Sequence, residues 1–362
     1  MSVNQKGLVQ RSLFAAARQG HPIATGAVVD EALRQDREAH DGEVFHGSRT
    51  PRASVRRTLT DLQSDGLVIK DGRGHLRIQI GALVDCVVHG DVLDLLRLCP
   101  DGSLACAVAD PPWDYMVEHT SKGTTTRMLG SGMRWFECGN LPTEVIDEIY
   151  RVLKPGGVFL CWLPPYQEAA DEHWGVLEAI RRAGFRGLRE VTWDKEVRGG
   201  GYGWAPQSEP CFAFFKEERP TFYDLAVSNL IRHPRLRPEQ KTRYSDFTTA
   251  DAEAWRKALA QFGEANLIPP EVRAGLKEEH HACEKPVDVL VTLLRPVLGP
   301  GKHGRAPEGE NVVVDLYAGS ASASAAAQEL GAHFLAVEKD ARNVECLVVP
   351  RLVPRAVLSL AP

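Results

Sequence analysis

Apolar, strand-like runs alternate with helical stretches along most of this chain, from residue 83 to residue 340. The seven runs are LVDCVVHG, LACAVAD, GGVFLCWLP, LREVTWDK, EPCFAFFK, NVVVDLYAG and HFLAVEKD. Stretches with helical spacing lie between several of them, as at residues 143–154 and 174–185. Strands that alternate with helices form a sheet with helices on both faces. The sequence therefore predicts a doubly wound, Rossmann-like α/β sheet of about seven strands.

Two segments, residues 1–80 and about 217–282, do not follow this alternation. In the first, a helical stretch precedes two short strand-like runs joined by the turn KDGRG, which is the order of elements in a winged helix. A helical cap on the main domain or on a second subunit explains this pattern equally well. The second segment is polar, partly basic and rich in proline, and we interpret it as a target-recognition insertion. The predicted domains are residues 1–80 and 81–362, with the insertion inside the second.

Composition places the chain among globular proteins, because 43% of its 362 residues are apolar and 25% are charged. Its eight cysteines are scattered, without a C-x-x-C pair, so the sequence predicts neither a metal site nor a disulfide framework. No apolar run is long enough to span a bilayer, and the first residues lack the pattern of a secretory signal. We therefore expect a cytoplasmic protein with reduced cysteines and no membrane partner.

The net charge of −5 disfavours nucleic-acid binding through overall charge. Two local runs are nevertheless basic. The first contains Arg52, Arg56 and Arg57, which fall near the start of the last helix of the winged-helix-like module, and the second contains Arg235 and Arg237. These side chains are candidates for contacts with DNA phosphates, although a solvated surface explains either run equally well.

The stretch CAVADPPWDY, residues 106–115, joins the end of a strand to Asp110, Pro111, Pro112 and Trp113. Proline can neither continue a helix nor donate to a strand ladder, so the two prolines stiffen the chain just past the strand. A carboxylate and an aromatic face would then keep a fixed relation that suits a flat, polar substrate. An ordinary exit from strand to loop is the alternative, because Asp-Pro is common in turns.

A second pattern lies near the end of the chain, where a buried strand ends at Asp315. A turn of small residues, an alanine-rich helix and another strand follow, and that strand ends at Glu338. This order is typical of a mononucleotide-binding unit, in which the second acid accepts the ribose hydroxyls. The sequence contains neither G-x-G-x-x-G nor G-x-x-x-x-G-K-[ST], so dinucleotides and P-loop nucleotides fit poorly. A compact nucleoside with a small charged tail fits better, and S-adenosylmethionine is such a ligand.

Together these motifs resemble those of the amino-methyltransferases that act on exocyclic amines of nucleobases. The signature [DNS]-P-P-[YFW] is present at 110–113, and the cofactor turn D-x-[FY]-x-G-S-G-[ST] is matched at 315–322 except for Ala321. The Lys-Pro pair of the preceding helix is Lys285 and Pro286. With the catalytic motif first and the cofactor motif last, the order resembles the beta group. The resemblance covers about residues 83–350.

The resemblance implies roles for individual residues. Asp110 and the Pro111 carbonyl would accept the two N–H groups of the target amine, Pro112 would hold that carbonyl in place, and Trp113 would stack on the flipped base. Glu338 would bind the ribose, and the Gly319 and Ser320 amides with the serine hydroxyls would hold the methionine end. The candidate cofactor-binding residues are Asp110, Lys285, Asp315, Tyr317, Gly319, Ser320, Ser322 and Glu338. Lys285 is equally compatible with a solvated helix start.

The implied activity is methyl transfer from S-adenosylmethionine to the N6 amine of adenine in double-stranded DNA, since aspartate in the first motif position favours adenine. Cytosine N4 methylation, RNA adenine methylation and a binding-only subunit are the alternatives. A homodimer and a restriction endonuclease of the same system are candidate partners. Ala321 replaces the second glycine of the family's turn, so a positive φ there would strain the turn and weaken cofactor binding.

Overall fold

The structure is a computed structural model, and it describes residues 8–9, 12–13, 15–16, 23–39, 51–64, 68–70, 72–78, 84–112, 141–163, 170–199, 205–237, 240–241, 283–298, 311–352, 354 and 356–359. Its centre is a nine-stranded sheet. The strands are β4 (Cys86–His89), β5 (Leu104–Ala109), β6 (Leu153–Trp162), β7 (Arg186–Asp194), β8 (Ser208–Phe215), β9 (Leu230–Arg232), β10 (Val312–Asp315), β11 (His333–Glu338) and β12 (Ala356–Ser359). They lie in the order β12-β4-β11-β10-β5-β6-β8-β7-β9.

Most neighbouring strands of this sheet are parallel, and β8 is antiparallel to both β6 and β7. From β5 the chain continues to β6 on one side, whereas from β10 it continues to β11 on the other. The connections therefore diverge between the adjacent strands β5 and β10. In open α/β sheets this point of divergence, at the carboxyl ends of the strands, is where ligands bind.

Helices cover both faces of the sheet. They are α3 (Val92–Leu98), α4 (Thr143–Val152), α5 (Ala170–Arg182), α6 (Val287–Leu298), α7 (Ser322–Glu329), α8 (Ala341–Asn343) and α9 (Val349–Leu352), with a π-helical turn at Val344–Val348 between the last two. The helices α3, α4 and α5 pack with one set of alternate strand residues, which includes Val314. The helices α6, α7 and α9 pack with the other set, which includes Val313. Because successive strand residues point to opposite faces, both faces are apolar, as the continuous apolar runs predict.

The predicted fold class is confirmed, and all seven predicted strands are present. The strands β9 and β12 were not predicted. The strand β9 lies within the segment interpreted as an insertion, and it pairs with β7 of the central sheet. The insertion itself stays a prediction. The sequence did not predict β9 because it is a three-residue edge strand that buries Ile231 between two exposed residues. Such a short pattern is not distinguishable from a loop.

The N-terminal residues form a separate three-stranded sheet in the order β1-β3-β2. Its elements are β1 (Ile23–Ala24), α1 (Thr25–Ala39), α2 (Pro51–Ser64), β2 (Val68–Lys70) and β3 (His75–Ile78). The helix followed by two antiparallel strands agrees with the winged-helix-like order predicted from the sequence, whereas β1 was not predicted. The boundary near residue 80 stays a prediction.

No helix in the described part of the chain combines the length and apolar character needed to cross a membrane.

Candidate active site

Strand register brings the two sequence motifs to the same edge of the sheet. Asp315 of β10 pairs with Val108 of β5 on one side and with Ala336 of β11 on the other. Asp110 and Glu338 each lie two residues beyond these pairing positions. The catalytic candidate and the ribose candidate therefore lie at the carboxyl ends of strands that flank β10, where the sheet connections diverge.

The Asp110 carboxylate forms an ion pair with Lys285, whose Nζ lies 2.5 Å from Asp110 Oδ2. Lys285 comes just before α6 and is separated from Asp110 by 175 residues. Burial raises the pKa of Asp110, and the ammonium group of Lys285 lowers it in part. Burial by itself lowers the pKa of Lys285, but the neighbouring carboxylates outweigh it and raise that pKa. Lys285 is therefore a charged partner of the catalytic candidate and not a solvated helix start.

Glu209 extends this ion pair into a network of four charges. Its Oε2 lies 3.5 Å from Lys285 Nζ, and its Oε1 accepts a hydrogen bond from Lys195 Nζ at 3.1 Å. Burial raises the pKa of Glu209, but the two ammonium groups outweigh it and lower the pKa overall. Two carboxylates thus balance two ammonium groups. Glu209 was not among the predicted site residues, because no local sequence pattern marks a contact that only the folded sheet creates.

Trp162, at the end of β6, lies beside the same network. Its ring centroid is 5.0 Å from Lys285 Nζ, a distance suitable for a cation–π interaction. The side chain is 4% exposed, and its indole N–H has no hydrogen-bond partner within the described part of the chain. A buried donor without an acceptor is costly, so a bound ligand that accepts from it would stabilise the site.

The candidate ribose acid, Glu338, is held by backbone groups. Its Oε2 accepts from the Gly319 N–H at 2.7 Å, and its Oε1 accepts from the Asp340 N–H at 2.8 Å. Burial raises the pKa of Glu338 to about 7, against the opposing effect of these hydrogen bonds. The Asn343 side chain also donates to this carboxylate. Because a carboxylate has about four lone-pair sites, these three donors leave room for a ligand hydroxyl. The Gly319 amide, which was predicted to hold the methionine end of a cofactor, donates to Glu338 in this structure.

The buried carboxylate of Asp315 stabilises the turn between β10 and α7. It is 4% exposed, and its Oδ2 accepts from the backbone N–H of Ser324 at 3.1 Å and from the Ser324 hydroxyl at 2.9 Å. Burial raises the pKa of Asp315 to about 6, and the bonds from Ser324 lower it in part. Asp315 is a predicted cofactor ligand, and its observed hydrogen-bond partners lie in the first turn of α7. Its position at the base of the turn makes it a support for the loop.

Ala321 has the backbone conformation that the departure from the family motif suggested. Its φ is 62° and its ψ is 33°, and its side chain is buried. An L-residue in this left-handed region costs about 1–2 kcal/mol, which glycine avoids. The flanking Ser320 and Ser322 are buried, and their hydroxyl oxygens lie 3.3 Å apart. Tyr317, in the same turn, is partly buried, and burial raises its pKa.

The two basic runs lie in different places. Arg235 and Arg237 are exposed, and the Arg235 N–H donates to the carbonyl of Lys195 at 3.3 Å, next to the charge network. Arg56 and Arg57 are exposed on α2 of the N-terminal module. Arg52 is also on α2 and pairs with Asp30. Of the predicted catalytic residues, Pro111 and Pro112 follow Asp110 in the structure, whereas Trp113 lies outside the described residues.

Comparisons with known proteins find relatives among DNA methyltransferases. A curated relative, the type II methyltransferase M.BamHI of Bacillus amyloliquefaciens, is 30% identical over 86 residues, which are 24% of this chain and 19% of that protein. This chain therefore matches about a fifth of that relative's length. A crystal structure of a putative DNA modification methylase from Thermus thermophilus is 19% identical, with 76% of this chain and 99% of that chain covered and a TM-score of 0.39.

Two further solved structures are similar to this chain at low identity. The M1.HpyAVI–SAM complex is 13% identical over 70% of this chain and 93% of that chain, with a TM-score of 0.40. The cytosine-N4-specific PvuII DNA methyltransferase is 16% identical over 75% of this chain and 94% of that chain, with a TM-score of 0.45. The family model described as DNA methylase, of the N6/N4 type, matches residues 106–348, which is more than half of the chain. The chain belongs to the N6/N4 DNA methylase family.

Proposed function

We propose that this protein transfers a methyl group from S-adenosylmethionine to the N6 amine of adenine in double-stranded DNA. One observation carries the proposal. Asp110 and Glu338 lie at the carboxyl ends of strands on either side of β10, and β10 leads into the small-residue turn. A base-facing acid and a ribose-facing acid at the same edge would bring a target amine and a methyl donor together, and positioning supplies much of the acceleration in such reactions.

The residues at this edge fit S-adenosylmethionine by their chemistry. Glu338 offers its remaining acceptor site to a ribose hydroxyl, and Lys285 offers a cation for the carboxylate of the methionine end. Trp162 offers a buried N–H that has no acceptor in the described part of the chain. A second crystal structure of the Thermus protein, and the M1.HpyAVI structure described above, are complexes with this compound. When bound, it supplies an electrophilic methyl group on a sulfonium.

Asp110 and Pro111 would prepare the amine for attack. The nitrogen of an exocyclic amine is a poor nucleophile, because its lone pair is delocalised into the ring. A carboxylate and a carbonyl that each accept one N–H would favour tetrahedral geometry and free the lone pair. The new nitrogen–carbon bond forms as the sulfur–carbon bond breaks, and the amine then loses one proton. Asp110 can accept that proton, because burial raises its pKa above the usual range, and Lys285 keeps the carboxylate oriented.

The choice of adenine rests on Asp110 in the first motif position, and cytosine N4 is the second candidate. The test is incubation with duplex DNA, single-stranded DNA or RNA and isotopically labelled S-adenosylmethionine, followed by mass spectrometry of the nucleosides. N6-methyladenine from duplex DNA supports the proposal. N4-methylcytosine, or N6-methyladenine from RNA alone, would replace it with the corresponding alternative.

Ionisation of Glu338 predicts how cofactor binding depends on pH. Since its pKa is raised to about 7, we expect S-adenosylmethionine affinity to rise about tenfold between pH 6 and pH 8 as the carboxylate forms. The folding stability of the free protein should change in the opposite direction and fall as the pH rises. A carboxyl whose pKa is higher in the folded than in the unfolded state favours folding less as the pH rises from about 4.5 to about 7.

Titration calorimetry at several pH values measures the first trend, and thermal unfolding of the free protein measures the second. The matched variant is Glu338→Gln, which removes the titrating group and retains one acceptor oxygen. Because titration of the ligand itself affects both proteins equally, the pH dependence that belongs to Glu338 is the difference between them. An identical pH profile for the two proteins would rule out this role for Glu338.

The N-terminal module offers a surface for the DNA backbone. A groove with a cavity volume of about 270 Å³ lies between α2 and the β2–β3 hairpin, and Arg56, Lys70 and His75 line it. All three side chains are exposed, and no acidic residue lines the groove in the described part of the chain. We therefore propose that Arg56 and Arg57, with the hairpin residues, contact phosphates, whereas Arg52 pairs with Asp30. Arg235 and Arg237 would contact the DNA nearer the reacting base.

Replacing both Arg56 and Lys70 by glutamine should weaken duplex binding about tenfold or more at low salt. The slope of log affinity against log salt should become shallower by roughly 2, because each lost phosphate contact removes about 0.9. Fluorescence anisotropy over a salt series measures both quantities. The control is Arg181→Gln, an exposed arginine on α5 that pairs with Glu178. An unchanged salt slope in the double variant would refute the groove as a DNA contact.

A further inference from the structure

The turn at 318–322 is held in a strained conformation, and one side chain spans the strained residue. Ala321 is left-handed, at φ 62°. Backbone strain of this kind persists where surrounding contacts hold it. Arg351 supplies such contacts, since its Nη1 donates to the Ser320 carbonyl at 2.5 Å and lies 3.3 Å from the Ser322 hydroxyl. These partners lie immediately before and after Ala321.

The same guanidinium connects the turn to a buried acid. Arg351 Nη2 donates to Glu284 Oε1 at 2.6 Å, and the Glu284 side chain is 0% exposed. Glu284 is adjacent in sequence to Lys285, whose ammonium group pairs with Asp110. Two successive residues therefore connect to the two halves of the site, Glu284 to the turn through Arg351 and Lys285 to the catalytic candidate.

We propose that Arg351 is a positioning residue that holds Ala321 in its left-handed conformation. Through Glu284 it also fixes the turn relative to the Lys285–Asp110 pair. The fork of the guanidinium is essential, because it reaches a carbonyl and a carboxylate at the same time, which an ammonium group cannot do in this geometry. The assignment of the turn to cofactor binding rests on the proposed function, whereas the coupling between Arg351 and Ala321 does not.

The test is a double-mutant cycle between these two positions. Arg351→Lys keeps a positive charge near the buried Glu284 but loses the fork, and we expect it to lower S-adenosylmethionine affinity about tenfold. Ala321→Gly alone should change affinity by less than about threefold, because glycine adopts the left-handed conformation without support. In the combined variant, most of the affinity lost in Arg351→Lys should be recovered. The KM for the cofactor should follow this pattern, with kcat changing less.

The matched control is Arg151→Lys, since Arg151 also joins backbone carbonyls to acids, but near the start of β5, at the opposite end of that strand from Asp110. It should lower the melting temperature without affecting cofactor affinity and without coupling to Ala321→Gly. If Arg351→Lys does not fold, the double variant Arg351→Met with Glu284→Gln takes its place in the cycle with Ala321→Gly. It removes the positive and the negative charge together. Additive effects of the Arg351 and Ala321 substitutions on affinity and on melting temperature would overturn the proposal.

Failure of the proposed function gives a different result. If the wild-type protein does not bind S-adenosylmethionine at all, the cofactor assignment fails, and melting temperatures then decide the cycle. Coupling in melting temperature between Ala321→Gly and Arg351→Lys would support the positioning role, and additivity would overturn it.

Discussion

Replacing Asp110 by asparagine is expected to lower the rate of methyl transfer by a factor of about a thousand or more. The variant keeps the shape of the side chain but loses the negative charge that accepts from the amine and can take up its proton, and such proton transfer contributes about 10²–10⁴ in rate. Affinity for S-adenosylmethionine should stay within about threefold of wild type, because the proposed contact of Asp110 is with the base and not with the ribose.

Single-turnover transfer of labelled methyl to duplex DNA measures this rate, and calorimetry measures the cofactor affinity. The control is Asp101→Asn, an exposed acid that precedes β5 and so lies at the opposite edge of the sheet. Its variant should transfer methyl at close to the wild-type rate. Retention of a tenth or more of the wild-type rate in Asp110→Asn would contradict the assigned role.

Replacing Glu338 by alanine is expected to weaken S-adenosylmethionine binding about 10- to 150-fold, because a hydrogen bond to a charged group contributes about 1.5–3 kcal/mol. The demethylated product should lose affinity by a similar factor, since it carries the same ribose. The variant also removes the acceptor of the Gly319 and Asp340 N–H groups, so its melting temperature must be measured beside the affinity.

The control is Glu329→Ala, an exposed acid at the end of α7. It should bind both ligands as the wild type does. Glu338→Gln keeps the backbone contacts in part and so separates the ribose contact from damage to the turn. Wild-type affinity in Glu338→Ala would remove the ribose role from this residue.

Much of the fold was predictable because the strands bury apolar residues on both faces. A run such as Val312–Asp315 is buried at every position, so its pattern does not depend on which neighbour it pairs with. The strand β9 buries Ile231 alone and gives no such signal. The positions of Asp110 and Glu338 at strand ends were also predictable, since each acid ends an apolar run. Their placement at the same edge required the strand order, which periodicity does not contain.

The charge network was less predictable, because its contacts join distant segments. The pair between Asp110 and Lys285 spans 175 residues, and Glu209 enters it from the antiparallel strand β8. The supporting role of Asp315 likewise depends on the first turn of α7 folding back over its carboxylate. Ala321 differs from these, since its departure from a glycine position was visible in the sequence. Whether the backbone there has a positive φ became known only from the structure.

The edge of the sheet between Asp110 and Glu338 is the proposed methyl-transfer site. The most direct measurement is the transfer of labelled methyl from S-adenosylmethionine to duplex DNA by the unaltered protein, with the nucleosides identified afterwards. We expect stoichiometric or greater incorporation as N6-methyladenine with the wild-type protein, and none with Asp110→Asn on the same time scale. The proposal of a methyl-transfer site would be contradicted if wild-type protein that binds S-adenosylmethionine incorporated no methyl group into any nucleic acid.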